Sequence, residues 1–173
     1  MSEKIITLLA DSFWKILLPG ITATIPLTII SFALALIIAT VTALVQFARV
    51  PVLTPLARFY IWIIRGTPLL VQLFVIFFGL PRIGVVLEPF PAAIIVFAVN
   101  TGAYDAETVR AALESVPHGQ LEAGECAGMT YWQTMRRIVL PQAMRTAFPS
   151  LSNSLISLVK DTSLAANITV SEM

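Results

Sequence analysis

The sequence predicts an all-α membrane protein, a multi-span helical bundle, and three observations carry that expectation. Of its 173 residues, 57% are hydrophobic and 12% are charged, and the mean hydropathy is +0.87. A soluble domain carries about 25% charged residues, so this chain has too few to wet a globular surface. Between Lys15 and Arg49 lie 33 residues without a charge, where about 20 suffice to cross the hydrocarbon of a bilayer. Further apolar runs follow, separated by short stretches that hold the arginines.

The elements follow in order. Residues 1–18 pair Asp11 with Lys15 at i,i+4 while Ile5, Leu8, Leu9 and Ile16 lie elsewhere, a pattern that suits an interfacial N-terminal helix. No small-residue cleavage site leads into a soluble body there, so a removed signal peptide is not expected. A first span is expected near 21–47, with Pro26 imposing a kink or a helix start. A second is expected near 59–81, interrupted only by Arg65. In it Arg65-Gly66-Thr67-Pro68 loosens the helix, shaping the start of the span or acting as a gate. A third is expected near 91–112, although its later half carries Asp105, Glu107 and Arg110. A charged loop over 117–140 leads to a fourth span near 141–160, whose uncharged run, Thr146–Val159, is only 14 residues. Hydropathy alone makes this fourth span weak. No internal repeat is visible, so residues 19–173 read as one membrane domain.

Charge distribution orients the layout. One side collects Arg49, Arg58, Arg65, Arg110, Arg136, Arg137 and Arg145, and the other Lys4, Lys15, Arg82 and Lys160. The arginine-rich side is expected in the cytoplasm, with the N-terminus outside. A net charge of +1 gives no reason to invoke nucleic acid. One cysteine, Cys126, excludes an internal disulfide and a multi-cysteine metal site, and one histidine, His118, makes a zinc hydrolase a poor fit.

The loop has its own grammar. Gly119–Ala127 is expected as a short helix stopped by Gly128, which tolerates the left-handed cap conformation. Thr130 and Gln133 match a capping box that starts a second helix running to about Leu140, with Pro141 in the first turn of the next span. Tyr131 and Trp132 suit an interface, and Ala123, Gly124, Ala127 and Gly128 leave a small-residue surface. An ordinary juxtamembrane loop also fits these features.

The spacing adds more. Glu122-Ala123-Gly124, three residues, Gly128, nine residues, Ile138, one residue, Leu140-Pro141 resembles the signature loop of ABC-importer permeases, EAA–x3–G–x9–I–x–LP. Gly124 departs from it, standing where alanine is usual. A glycine there weakens a helix by about 1 kcal/mol. Phe59–Pro81 (FYIWIIRGTPLLVQLFVIFFGLP), Asn100–Leu113 (NTGAYDAETVRAAL) and Ser150–Ala166 (SLSNSLISLVKDTSLAA) look like the polar amino acid permeases of that superfamily, most like bacterial L-cystine permeases. The likeness runs from Gly20 onward. It implies a MetI-like permease bundle in the bacterial cytoplasmic membrane, paired with a second permease subunit, identical or different. It also implies two cytoplasmic ABC ATPases, which would hold the ATP and Mg, and an external substrate-binding protein. No cofactor is expected on this chain itself. In such permeases the signature loop is the coupling helix, which assigns ATPase coupling to Gly119, Gln120, Glu122, Ala123, Gly124, Gly128, Ile138, Leu140 and Pro141. A fifth apolar span follows in the family, whereas this sequence stops at Met173.

Two polar stripes mark a candidate substrate path. Asn100, Tyr104 and Glu107 recur at i, i+4 and i+7 on the third span. Ser150, Ser154, Ser157 and Asp161 form a stripe on the fourth, with Asn153 close to the same face. Polar groups facing lipid are costly, so both stripes should face protein or water. Asn100, Asn153 and Ser157 offer neutral donors and acceptors suited to an amino acid's ammonium and carboxylate. Ser150 and Ser154 serve equally as close-packing residues. Glu107 and Arg110 are expected as a structural ion pair, and Lys160-Asp161-Thr162 as an outer rim or a snorkelling terminus.

Three function classes compete. A permease driven by partner ATPases needs no phosphate-cradling loop, and no G-x-x-x-x-G-K-[ST] occurs. A self-powered carrier or channel needs no docking loop. An intramembrane enzyme needs a catalytic cluster at membrane depth, but Asp105 and Asp161 fall near opposite faces and His118 lies outside the spans. The chain is therefore expected not to be an enzyme.

Overall fold

The structure, a computed structural model, describes residues 12–15, 17–18 and 20–168, so the interfacial helix expected over 1–18 lies largely outside the described residues. Every regular element among the described residues is helical. We number the α-helices α1 (Ile25–Phe47), α2 (Leu53–Arg65), α3 (Leu69–Phe74), α4 (Pro89–Glu114), α5 (His118–Cys126), α6 (Tyr131–Thr134) and α7 (Leu140–Asp161). Wide π-helical turns occupy Gly20–Thr24, Val75–Gly79 and Met135–Val139, and tight 3-10 turns occupy Leu80–Ile83 and Thr162–Ile168.

Proline explains where the wide turns fall. Each ends two residues before a proline, respectively Pro26, Pro81 and Pro141. A proline cannot donate to the carbonyl four residues back, and its ring crowds that carbonyl. Thr22, Phe77 and Arg137 are the residues so placed, and all three lie inside the wide turns. Widening the turn relieves the clash without ending the helix. The second helix of the 117–140 loop therefore runs through Met135–Val139 straight into α7.

Here one expectation is corrected. The single span expected over 59–81 is two helical pieces, Leu53–Arg65 and Leu69–Ile83, bent by 101°. The cause is local. Pro68 has an extended backbone (ψ 139°) and bars Thr67 from helical geometry, and a Cβ on Gly66 would meet the Trp62 carbonyl at 2.9 Å. Among the described residues, the helix ending at Phe47 is alone long and apolar enough to cross a membrane by itself, its most apolar window reaching mean hydropathy 2.5. The bent α2–α3 pair is a second candidate. Helices α4 and α7, at 26 and 22 residues, have the length but carry polar stripes.

Helix α4 is the hub, with α1 making the most extensive contact to it and α7, α2 and α3 lying around it. The α1–α4 seam is built from small residues. Ala35, Ala39 and Ala43, four apart on α1, are wholly buried, as are Ala103 and Ala106 of α4. Leu27 clusters with Ala92, Val96 and Phe97, while Ala39 meets Ala103 and Ala43 meets Val109, so the two helices run parallel. Small side chains let the backbones approach closely, which is how helices gain dispersion contact where lipid is as apolar as leucine. Tyr60 fastens α2 to the hub by donating to the Val99 carbonyl at 2.6 Å.

Gly102 is the tightest point of the seam. A Cβ there would lie 2.9 Å from Ile38 Cγ2 and 3.3 Å from the Ala35 carbonyl. Gly102→Ala is expected to destabilise the bundle by about 1–3 kcal/mol, the usual range for overpacking. Ile38→Ala in the same chain should recover most of it. Thermal unfolding in detergent checks this: an unchanged midpoint for Gly102→Ala would mean that the helices are not held at this separation.

Candidate functional site: a polar cavity and a glycine corner

The two polar stripes meet. A cavity of about 380 Å³ is lined by Asn100, Thr101 and Tyr104 of α4, by Ser154, Ser157, Leu158 and Asp161 of α7, and by Thr67, Pro68 and Leu69 at the α2–α3 break. Leu164 closes one side. Asn100 and Tyr104 share one face because they are four residues apart, as Ser154, Ser157 and Asp161 do at helical spacing. Asn153, expected in the path, is not among the lining residues and is exposed instead. Its position, one residue before Ser154, rotates it away from α4. Glu107 and Ser150 open onto a separate cavity with Arg110 and Thr146.

Sequence reasoning missed Gln72, which organises one wall. Its Nε2 donates to the Ile64 carbonyl (2.9 Å), the Thr67 carbonyl (3.1 Å) and Thr67 Oγ1 (2.7 Å). The bend strands the Ile64 carbonyl without its helical donor, and the amide of Gln72 replaces that donor. With Nε2 so committed, Gln72 Oε1 faces Asn100 and accepts from its Nδ2 at 3.2 Å. Asn100 Oδ1 has no hydrogen-bond partner among the described residues and is an acceptor for the cavity. Arg65 lies over the Tyr104 ring, 5.1 Å from its centre, a cation–π contact beside the same break.

Among the described residues, the ion pairs gather on Arg110. Arg110 binds Glu107 at 2.8 Å and Glu114 at 2.7 Å along one face of α4. Lys160 is exposed at the end of α7. Asp105 is instead buried, 2% exposed beside Ser154, with its Oδ2 lacking a hydrogen-bond partner among the described residues.

Past the C-terminal end of α4, α5 and α6 form a hard corner. Met129 donates to the Gly124 carbonyl (3.0 Å) and Gly128 to the Glu125 carbonyl (2.9 Å), the paired bonds of a Schellman cap. The cap needs a left-handed residue, and Gly128 supplies it with φ +72°. Two residues on, Thr130 Oγ1 accepts from the Gln133 amide (3.3 Å) while Gln133 Oε1 accepts from the Thr130 amide (2.9 Å), so the capping box is complete. Gln142 of α7 donates to Gln120 Oε1 at 3.3 Å, tying the far side of α5 to the bundle.

Exposure sorts the loop residues. Gly119, Glu122, Ala123, Gly128 and Pro141 are exposed, Gln120, Ile138 and Leu140 are half-buried, and Gly124 is buried. Gly124 therefore needs correction. It was expected to contribute to an outward small surface, but it faces inward onto Thr134, where a partner chain cannot reach it.

Comparison with known proteins gives this geometry a context. Residues 35–173 match the family described as binding-protein-dependent transport system inner membrane component. The L-cystine transport system permease protein TcyB of Bacillus subtilis (strain 168) is 52% identical over 166 residues, covering 96% of this chain and 71% of that relative. The octopine transport system permease protein OccM of Rhizobium radiobacter is 43% identical over 166 residues, covering 91% and 68% respectively. Among solved structures, an amino acid ABC transporter with histidines superposes with a TM-score of 0.79 at 34% identity, covering 91% of this chain and 75% of that one. The inward-facing MetNI methionine ABC transporter superposes with a TM-score of 0.71 at 24% identity, covering 97% and 77%, a likeness of fold alone. The fold is thus the all-α, MetI-like permease bundle. With the family matched through the seam, the cavity and the corner alike, the chain belongs to the binding-protein-dependent transport system inner membrane components, the permease subunits of ABC transporters.

Proposed function

We propose that this permease imports a polar amino acid, L-cystine first among candidates, across the cytoplasmic membrane by alternating access. It would work with a second permease subunit, two cytoplasmic ATPases that bind ATP and Mg, and an external binding protein, in contact with membrane lipid. The N-terminus would lie outside and the α5–α6 corner in the cytoplasm, as the arginine distribution favours.

The observation that carries this reading is the stiffness of the corner. A helix that transmits force must not swivel on its own support. Here α5 is held by a Schellman cap at one end, a capping box just beyond it and the Gln142–Gln120 bond beside it. Glu122, Ala123, Glu125 and Cys126 present its outer face. ATPase closure would move this knob, and α6, continuous with α7 through Met135–Val139, would carry the displacement to the cavity wall.

The cavity chemistry supports an amino acid as cargo. Asp161 and the free Oδ1 of Asn100 are acceptors for an ammonium, and Ser154, Ser157 and Tyr104 supply hydroxyl donors for a carboxylate. Apart from Asp161 these partners are neutral, and neutral hydrogen bonds hold a ligand more weakly than ion pairs, which suits a site that must release it. Support for L-cystine in particular comes from the relative at 52% identity.

Two tests follow. Gly128→Val places a β-branched residue at φ +72° and breaks the corner, at a cost of about 1–3 kcal/mol in local strain. In reconstituted complex it should abolish substrate-stimulated ATP hydrolysis and uptake while basal hydrolysis persists. Full uptake would return the loop to an ordinary connection. Gln72→Leu leaves the Ile64 carbonyl only the long bond from Thr67 Oγ1 at 3.3 Å and frees Asn100, costing about 1–3 kcal/mol of stability. It should depress uptake about as strongly as Asn100→Leu does. Unchanged substrate affinity in both variants, measured by calorimetry on the complex, would remove the cavity from the transport path.

A further inference from the structure

We propose that Thr134 sets the angle of the coupling helix, by seating its branched side chain in the space that Gly124 leaves empty; the inference rests on the coupling role proposed for α5. A Cβ on Gly124 would fall 2.5 Å from Thr134 Oγ1, 2.6 Å from its Cγ2 and 3.1 Å from its Cβ. Carbon atoms in comfortable contact stand about 3.5–4.0 Å apart, so no side chain fits between the two helices as they lie.

Neither partner can step aside. Thr134 is 1% exposed, and its Oγ1 donates to the Thr130 carbonyl at 3.2 Å. A β-branched side chain on a helix has few rotamers to choose from. Thr130 is itself fixed by the capping box. Gly124 is held from the other side, since its carbonyl accepts from Met129 to close the Schellman cap. A rigid sequence of contacts thus runs from the capping box through Thr134 to Gly124 and so to α5. The glycine at 124 and the threonine at 134 act as a matched pair: the alanine usual at position 124 in the motif would force α5 away from α6 and strain the cap at Gly128.

The pair is tested in the assembled transporter in lipid nanodiscs, by hydrogen exchange over residues 117–135 and by uptake after reconstitution. Gly124→Ala should raise exchange at the corner by about tenfold, as local opening becomes easier, and lower uptake by a comparable factor. Adding Thr134→Ala should restore most of both, because it removes the two γ atoms that collide and leaves only the milder Cβ contact at 3.1 Å. Adding Thr134→Val instead, which keeps the branch, should not. The lock is overturned if Gly124→Ala leaves exchange unchanged, or if Thr134→Ala gives no more recovery than Thr134→Val. If exchange follows the expected pattern while uptake ignores it, the lock stands and the coupling role of α5 falls.

Discussion

Close approach between α1 and α4 is the constraint on which the rest is mounted. Neither helix gains from the hydrophobic effect in lipid, so their association depends on dispersion contacts and on shape. Ala35, Ala39 and Ala43 on one side, and Gly102, Ala103 and Ala106 on the other, supply a smooth seam along which backbones touch. Because the two helices run parallel, α4 is fixed in both height and rotation. Its Asn100–Tyr104 face is turned to α7 near its middle, and its Glu107–Arg110–Glu114 face lies toward the α1–α2 connection nearer its C-terminal end. Larger residues in the seam would let α4 rotate, and the cavity wall would turn with it.

A second theme is how the chain bends without leaving backbone groups unmet. Proline produces three wide turns that preserve helical continuity, and a glycine–proline pair produces one full break. The break organises one wall of the cavity. It frees the Ile64 carbonyl, Gln72 answers it, and the answering amide fixes Asn100 at the cavity. The continuous turns keep the helix whole instead, since Met135–Val139 joins the corner to α7 without a break.

What could be read in advance was local. The Gly128 cap and the Thr130–Gln133 box depend on residues a few positions apart, and both stand in the structure as their spacing implied. Asn100 and Tyr104 on α4 and Ser154, Ser157 and Asp161 on α7 share a cavity because helical period decides which residues share a face, whereas Glu107 and Ser150 of the same stripes open onto another. Asn153 marks the limit of that reasoning, since one residue corresponds to about 100° of rotation and hydropathy does not fix where a stripe ends. The bend at Gly66–Pro68 was underestimated because a hydropathy window measures apolarity and not direction. Gln72 and Thr134 escaped notice for another reason. Each matters through a partner brought near only by the fold, Gln72 through Asn100 and Thr134 through Gly124, and neither belongs to a periodic pattern.

The most direct test uses the chain's single cysteine, Cys126, which is exposed on the outer face of α5. Labelling it with a membrane-impermeant maleimide, in inside-out and right-side-out vesicles with and without the partner ATPases, reports both the side and the occupancy of the corner. The account predicts labelling only in inside-out vesicles and protection when the ATPases are bound. Labelling from the exterior, or equal labelling with and without the ATPases, would contradict it.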